Sequence, residues 1–181
     1  MVTVQIVPAD PAWPLRFAVL GAELRAVLGD HAERIDHIGS TSVPGLGAKD
    51  VIDIQMSVAE LEPHEPVRAA LVGQGWSFQA DNPDHRKRFY FRRGDGLQDA
   101  NLHVRRTGEF SQQASLLFRD HLRTDATARA CYEATKRALA ERQWDDVDAY
   151  ADAKGDCVWK LLREADRWAW AVGWSPGPSD A

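Results

Sequence analysis

The sequence predicts an α/β (α+β) fold in one domain, and three observations carry that prediction. Short runs in the first hundred residues alternate apolar and polar side chains with the period of a strand. From Phe110 onward the apolar spacing changes to the helical period. The chain has 181 residues, 44% of them hydrophobic, enough for one core without disulfides or structural metal. The expected organisation is a single domain over residues 1–173. An α/β half runs to about residue 106, a helical half covers about 110–173, and residues 174–181 form a flexible tail.

Each element follows from local pattern. Pro11 to Gly29 reads as the first helix, because Phe17, Leu20, Leu24, Val27 and Leu28 share a face and Gly29-Asp30 closes it. "ERIDHI" and "VIDIQMSV" read as strands on either side of a glycine-rich stretch. Residues 64–74 read as a short helix ended by "GQGW". "RKRFYFRR" and "NLHVRR" read as strands, and the turn "GDGLQD" between them predicts an antiparallel hairpin. The helical pattern then continues to about Trp170, with breaks near Arg123–Asp125 and Trp144–Asp148. In the last helix Val158, Leu161, Leu162, Ala165, Trp168, Ala169 and Val172 form a core stripe. Trp159 and Trp170 fall off it, either as a second packing surface (a homodimer contact or a lid edge) or as partly covered surface tryptophans.

The formal net charge is −5, which argues against non-specific nucleic-acid binding. Cys131 and Cys157 lack metal-ligand spacing and read as reduced core thiols of a cytoplasmic protein. No run of about 18 apolar residues is present, so no membrane span is expected. The start "MVTVQIVPAD" lacks a basic segment followed by an apolar one, so no signal peptide is expected.

Strand alternation can be read as a surface. In "VIDIQMSV", Ile52, Ile54 and Met56 form the core face, while Asp53 and Gln55 point the other way. In "NLHVRR", Leu102 and Val104 point to the core, while Asn101, His103 and Arg105 point away. If the two strands are neighbours, these five polar residues make one patch. A polar strand face is also simply the wet side of an antiparallel sheet. The turn Gly39-Ser40-Thr41-Ser42 adds backbone amides and hydroxyls that can cradle phosphate oxygens. Asp53, on the next strand, can hold a divalent cation that bridges those phosphates.

The stretch "HIGSTSVPGLGAKDVIDI" closely resembles the signature of the GrpB family. "DPAWPLRF" before it, and "NLHV", "LLFRDHLR", "CYEATKRALA" and "AYADAK" after it, extend the resemblance from about Val7 to Ala165. That family looks like a branch of the nucleotidyltransferase superfamily and sometimes occurs fused to dephospho-CoA kinase. The resemblance implies a nucleotidyltransferase-like mixed sheet with flanking helices and a C-terminal helical segment closing over the site. It places Gly39-Ser40 on a nucleotide triphosphate and Asp53 on magnesium. The superfamily pattern has a second acid two residues later and a third on a later strand. Here those places hold Gln55 and either His103 or Asn101. This set makes a poor magnesium cage. It leaves one Mg or Mn ion held mostly by phosphates, or a softer metal with His103. Asp53 and His103 are thus the catalytic candidates, and Asp53, His103 and Gln55 the metal candidates.

Tyr132 and Lys136, like Tyr150 and Lys154, are spaced i, i+4 on one helix face. Under the resemblance the lysines neutralise a triphosphate while the tyrosines stack or hydrogen-bond. Alternatively the lysines lie along their helices with ammonium groups in water. Lys49 can reach phosphate from the loop, and Arg105 completes the ligand-binding candidates. Arg86, Arg88, Tyr90 and Arg92 share a strand face, as a charge-protected edge or a phosphate-binding rim. Arg119, Asp120 and Arg123 form a salt-bridge cluster or an anion clamp. His37 is expected to orient the turn by hydrogen bonding. The expected ligand is a nucleotide or another phosphorylated small molecule, with metal-dependent nucleotidyl or phosphoryl transfer by positioning and charge neutralisation. The competing expectation is a non-catalytic binding or folding-accessory module with a protein partner.

Overall fold

In the computed structural model, which describes residues 1–82, 84–94 and 96–181, a five-stranded mixed sheet separates two sets of helices. The elements in chain order are β1 (Val2–Thr3), α1 (Trp13–Leu28), β2 (Arg34–Ile38), β3 (Ile52–Val58), α2 (Glu65–Gly73), β4 (Ser77–Phe78), β5 (Lys87–Arg92) and β6 (Ala100–Arg106). The helical half follows as α3 (Phe110–Thr124), α4 (Ala126–Ala140), β7 (Gln143–Trp144), α5 (Val147–Ala153) and α6 (Gly155–Val172). The sheet order is β2-β3-β6-β5-β4, with β3 and β6 parallel and the other neighbours antiparallel. The short β1 and β7 pair as a separate ribbon. The two-residue strands β1, β4 and β7 have no periodicity to read and escape the sequence analysis. The expected hairpin is present as β5 and β6, although Asp95 of its turn lies outside the described residues.

Alternation along β3 and β6 sets the layers. Ile52, Ile54, Met56, Val58, Leu102 and Val104 face α1 and α2, where Trp13, Phe17, Leu20, Leu24, Val67 and Leu71 complete the main core. The opposite face is roofed by α3. Gln55 Nε2 donates to the carbonyl of Gln112 at 3.1 Å, and Gln112 Nε2 donates to Ser57 Oγ at 3.3 Å. Pairing these groups avoids the cost of about 1–3 kcal/mol that each would carry if buried unsatisfied. The predicted helix breaks fall where aspartates cap new helices. Asp125 accepts the Ala128 N–H at 2.9 Å and Asp146 accepts the Ala149 N–H at 2.7 Å. Val43 and Leu46, from the glycine-rich loop, join Leu122, Tyr132 and Leu161 in a second core, which pins that loop to the helical half. On α6, Leu161 and Ala165 are buried as expected, but Val172 is exposed because its helix turn extends past the packing partners. Cys131 and Cys157 are half-buried free thiols. Among the described residues, no helix is long and apolar enough to cross a membrane.

The last residues depart from the expected flexible tail. They lie along the edge strand β2 and cover its unpaired groups. The Ala181 N–H donates to the Ile35 carbonyl at 3.1 Å, and the Ile35 N–H donates to Ser179 Oγ at 2.9 Å. Asp180 Oδ2 accepts both the His37 N–H at 2.9 Å and Arg119 Nη1 at 2.8 Å. Arg119 is only 4% exposed and also donates to Asp120 Oδ1 at 2.7 Å. A guanidinium buried this deeply requires carboxylate partners, so the Arg119 cluster is a structural brace. Asp180→Ala leaves Arg119 with fewer acceptors and is expected to lower stability by about 1–2 kcal/mol. Urea denaturation measures it, and an unchanged midpoint would show that the segment is not docked.

Candidate functional site

A cleft of about 600 Å³ opens where the end of β2 meets the first residues of β3 and β6, below α4, α5 and the start of α6. Gly39, Ser40, Thr41, Lys49, Asp53 and His103 line it from the sheet side, and Tyr132, Lys136, Tyr150 and Lys154 from the helices. The strand neighbourhood assumed from sequence holds: Asp53 pairs with Asn101 and Gln55 with His103.

The turn is built by close approach. Gly39 has φ 68°, and a Cβ at this position would fall 2.4 Å from Asp53 Oδ2. Only glycine meets both constraints. The Ser42 N–H and hydroxyl both donate to the Gly39 carbonyl, at 3.2 and 2.6 Å. Ser42 therefore braces the turn from inside and does not line the cleft, unlike its expected role as a ligand contact. His37 orients the turn as expected, with Nε2 2.9 Å from Thr41 Oγ1 and its ring stacked 4.7 Å from Phe17. Burial, assisted by Arg123 and Arg119, pushes the His37 pKa down to about 3, so the ring is neutral. Arg123 Nε donates to the Ser42 carbonyl at 3.0 Å, which makes it another brace rather than an anion clamp.

Charge gathers around Ser40 and Asp53. Lys136, 2% exposed, donates to Ser40 Oγ at 3.0 Å and to the Gly47 carbonyl. Its pKa falls to about 7, chiefly through burial, with Lys154 and Arg137 adding repulsion against the attraction of Glu133. Lys154 sits 4.7 Å from the centre of the Tyr150 ring and Lys49 5.9 Å from it, within cation–π range. Burial and then Lys49 lower Lys154 to about 8, against the attraction of Asp53. Asp53 Oδ1 accepts from Asn101 Nδ2 at 2.7 Å. Burial raises the Asp53 pKa, opposed by this hydrogen bond and by Lys49, Lys154 and Arg93. Burial, then Arg105 and Lys87, hold His103 well below its ordinary pKa. Among the described residues, its buried Nδ1 and the Tyr150 hydroxyl have no hydrogen-bond partner.

Gln55 and Arg105 do not line this cleft. Arg105 donates to Gln55 Oε1 and to Ser115 Oγ, the latter at 2.7 Å. With its NH₂ on Gln112, Gln55 has both amide ends engaged under α3, and its oxygen faces the Arg105 guanidinium. The hairpin face also differs from the expected rim. Phe89 pairs with His103 and Tyr90 with Leu102, so Lys87 and Phe89 face the cleft. Arg88 instead pairs with Glu62 and Arg92 with Glu23. Consecutive aromatics at 89–91 made the two faces indistinguishable by hydropathy, so Lys87 was missed. A two-cation carboxylate cage does not fit these donors. Among the described residues, no group of three or more His, Cys, Asp or Glu side chains is placed to hold a metal.

Comparison with known proteins gives a consistent set of likenesses. The family profile described as GrpB protein matches residues 3–164. The chain is 44% identical over 131 residues to a UPF0157 protein of Streptomyces coelicolor, covering 72% of this chain and 68% of that one. It is 36% identical to a dephospho-CoA kinase of Mycolicibacterium paratuberculosis, covering 96% of this chain and 48% of the kinase. The chain thus spans about half the length of that relative. Among solved structures it is similar to the conserved protein GrpB from Enterococcus faecalis, with TM-score 0.81 and 26% identity over 92% of this chain and 99% of that one. A Cid1 poly(U) polymerase with MgGTP bound is a more distant neighbour, with TM-score 0.53 and 14% identity over 76% of this chain and 45% of that one. At that identity the likeness is one of fold, a nucleotidyltransferase-like sheet.

Gly39→Ala forces a Cβ into the Asp53 carboxylate as well as a strained φ, and is expected to destabilise the protein by about 3 kcal/mol. Gly45 has φ 78° but nothing within 4 Å of an added Cβ, so Gly45→Ala should cost only about 1 kcal/mol. Equal losses in chemical denaturation would contradict the close approach.

Proposed function

The chain belongs to the GrpB family, and from that premise we propose that its cleft binds the phosphate groups of a nucleotide or another phosphorylated ligand. The observation that carries this reading is the convergence of Lys49, Lys136 and Lys154 with the Gly39-Ser40 turn around the Asp53 carboxylate. Burial and mutual repulsion disfavour the charged lysines in the empty cleft, and an anion reverses that penalty. Ser40 offers its hydroxyl, Lys136 fixes Ser40, and Lys49 and Lys154 supply positive charge from beside the Tyr150 ring. Charge-assisted hydrogen bonds of this kind suit phosphate oxygens. Tyr132 and Tyr150 form apolar wall behind the lysines. Nucleotidyl or phosphoryl transfer is the finer reading of the same cleft, with Asp53 and His103 nearest the proposed phosphates. The donor set does not supply the cation cage that such transfer uses in this fold, and no transfer step is assigned.

The second reading is a folding-accessory or partner-binding module, supported by the match to half of a dephospho-CoA kinase. It draws on an exposed apolar groove where Phe110 stacks 6.3 Å from Trp159. It predicts stable association with a kinase domain and no response to phosphates.

Thermal unfolding with ATP, GTP, UTP and inorganic tripolyphosphate separates the two. Ligand binding raises Tm by mass action, about 2.7 kcal/mol of stabilisation at a hundredfold excess over Kd. Ser40→Ala and Lys154→Gln should each reduce the shift, and no shift with any of these anions would contradict the proposal. Binding should also weaken as pH rises. Lys136 titrates near 7 and Lys154 near 8 in the empty cleft. The anion binds the protonated forms, and loss of the Lys154 charge alone should lower affinity about tenfold from pH 7 to pH 9, with Lys136 adding to the fall, as titration calorimetry would show.

A further inference from the structure

We infer that the cleft takes the phosphate chain of its ligand directly on lysine ammonium groups, without a bridging divalent cation. This rests on the phosphate-binding reading and specifies how that site neutralises charge.

A hard cation needs several oxygen ligands. Asp53 Oδ1 already accepts the Asn101 amide at 2.7 Å, and Oδ2 packs against the bare Cα of Gly39. The nearest side-chain carbonyl oxygens on the same sheet face are those of Asn101 and Gln55. Both are taken by guanidinium groups: Arg93 Nη2 donates to Asn101 Oδ1 at 2.5 Å, and Arg105 donates to Gln55 Oε1. These two arginines also fix the amide orientations, turning each NH₂ inward, to Asp53 and to the Gln112 carbonyl. An NH₂ group repels a cation. The other carboxylates lining the cleft do not repair the set. Asp148 and Asp152 are exposed, and Asp84 pairs with Arg86 at 3.0 Å.

Positive charge is already present where a cation would act. Lys49 and Lys154 are both held against the Tyr150 ring, and Lys136 against Ser40. A divalent ion entering beside these ammonium groups meets repulsion that a partly desolvated cleft strengthens. A polyphosphate meets attraction from the same groups. In this arrangement Asp53 opposes the bound anion, and its place in the fold is to receive Asn101 and seat Gly39.

Titration calorimetry with inorganic tripolyphosphate, in EDTA and in excess magnesium, tests the inference. Binding is expected in EDTA, and magnesium should leave it unchanged or weaken it, because complexation lowers the ligand's charge. Asp53→Asn keeps the side-chain shape and the acceptor for Asn101, and should tighten binding about fivefold by removing a negative charge. Lys49→Gln with Lys154→Gln should weaken binding at least tenfold, with folding of each variant checked by circular dichroism. If the double variant does not fold, Asp53→Asn alone decides. Binding that appears only with magnesium, or is lost in Asp53→Asn, overturns the inference and leaves the phosphate-binding reading in place. Absence of binding in both conditions overturns both.

Discussion

Gly39 sets its bare Cα against the carboxylate of Asp53, and the arrangement of the cleft depends on that approach. The left-handed φ at Gly39 turns the chain out of β2 immediately above the start of β3. Ser40 and Thr41 are thereby placed beside the first residues of two parallel strands. The turn is then held by groups from three directions: the His37 ring from the main core, Arg123 from α3 and Lys136 from α4. Each of these partners is wholly or partly buried, so the turn is preorganised before any ligand arrives. Preorganisation matters because ordering a loop on binding costs free energy that would otherwise appear as affinity.

The chemistry of the cleft follows from what the sheet offers at that point. Parallel pairing of β3 with β6 puts Asp53 beside Asn101 and Gln55 beside His103. The face carries one carboxylate, two amides and a neutral imidazole. The helical half brings lysines to this face, and the tyrosine rings keep their ammonium groups from spreading into solvent. Under the proposed reading, basic residues meet phosphate themselves in place of acidic residues that recruit metal. The fold is similar to that of the Cid1 poly(U) polymerase.

Much of this was legible in the sequence. Alternation in "VIDIQ" and "NLHV" identified the polar face of each strand, while their pairing was assumed and is supplied by the fold. Broken periodicity marked the helix boundaries, where the fold places Asp125 and Asp146 as caps. Three features were not legible for physical reasons. Which face of β5 meets the cleft was hidden by aromatics at consecutive positions. The engagement of Gln55 and Arg105 under α3 depends on a helix sixty residues away in sequence from β3. The docked segment 177–181 contains no apolar pattern, and its attachment runs through side-chain and edge-strand hydrogen bonds that hydropathy does not register. The sequence shows Arg119 within a charged cluster, but only the fold makes Asp180 its partner.

The most direct measurement is a crystal structure of the protein with inorganic tripolyphosphate. The account predicts a phosphate oxygen within hydrogen-bonding distance of Ser40 Oγ, with Lys49 and Lys154 Nζ closing on the same chain from the Tyr150 side. An anion bound elsewhere, with the cleft lysines turned to water, would contradict it.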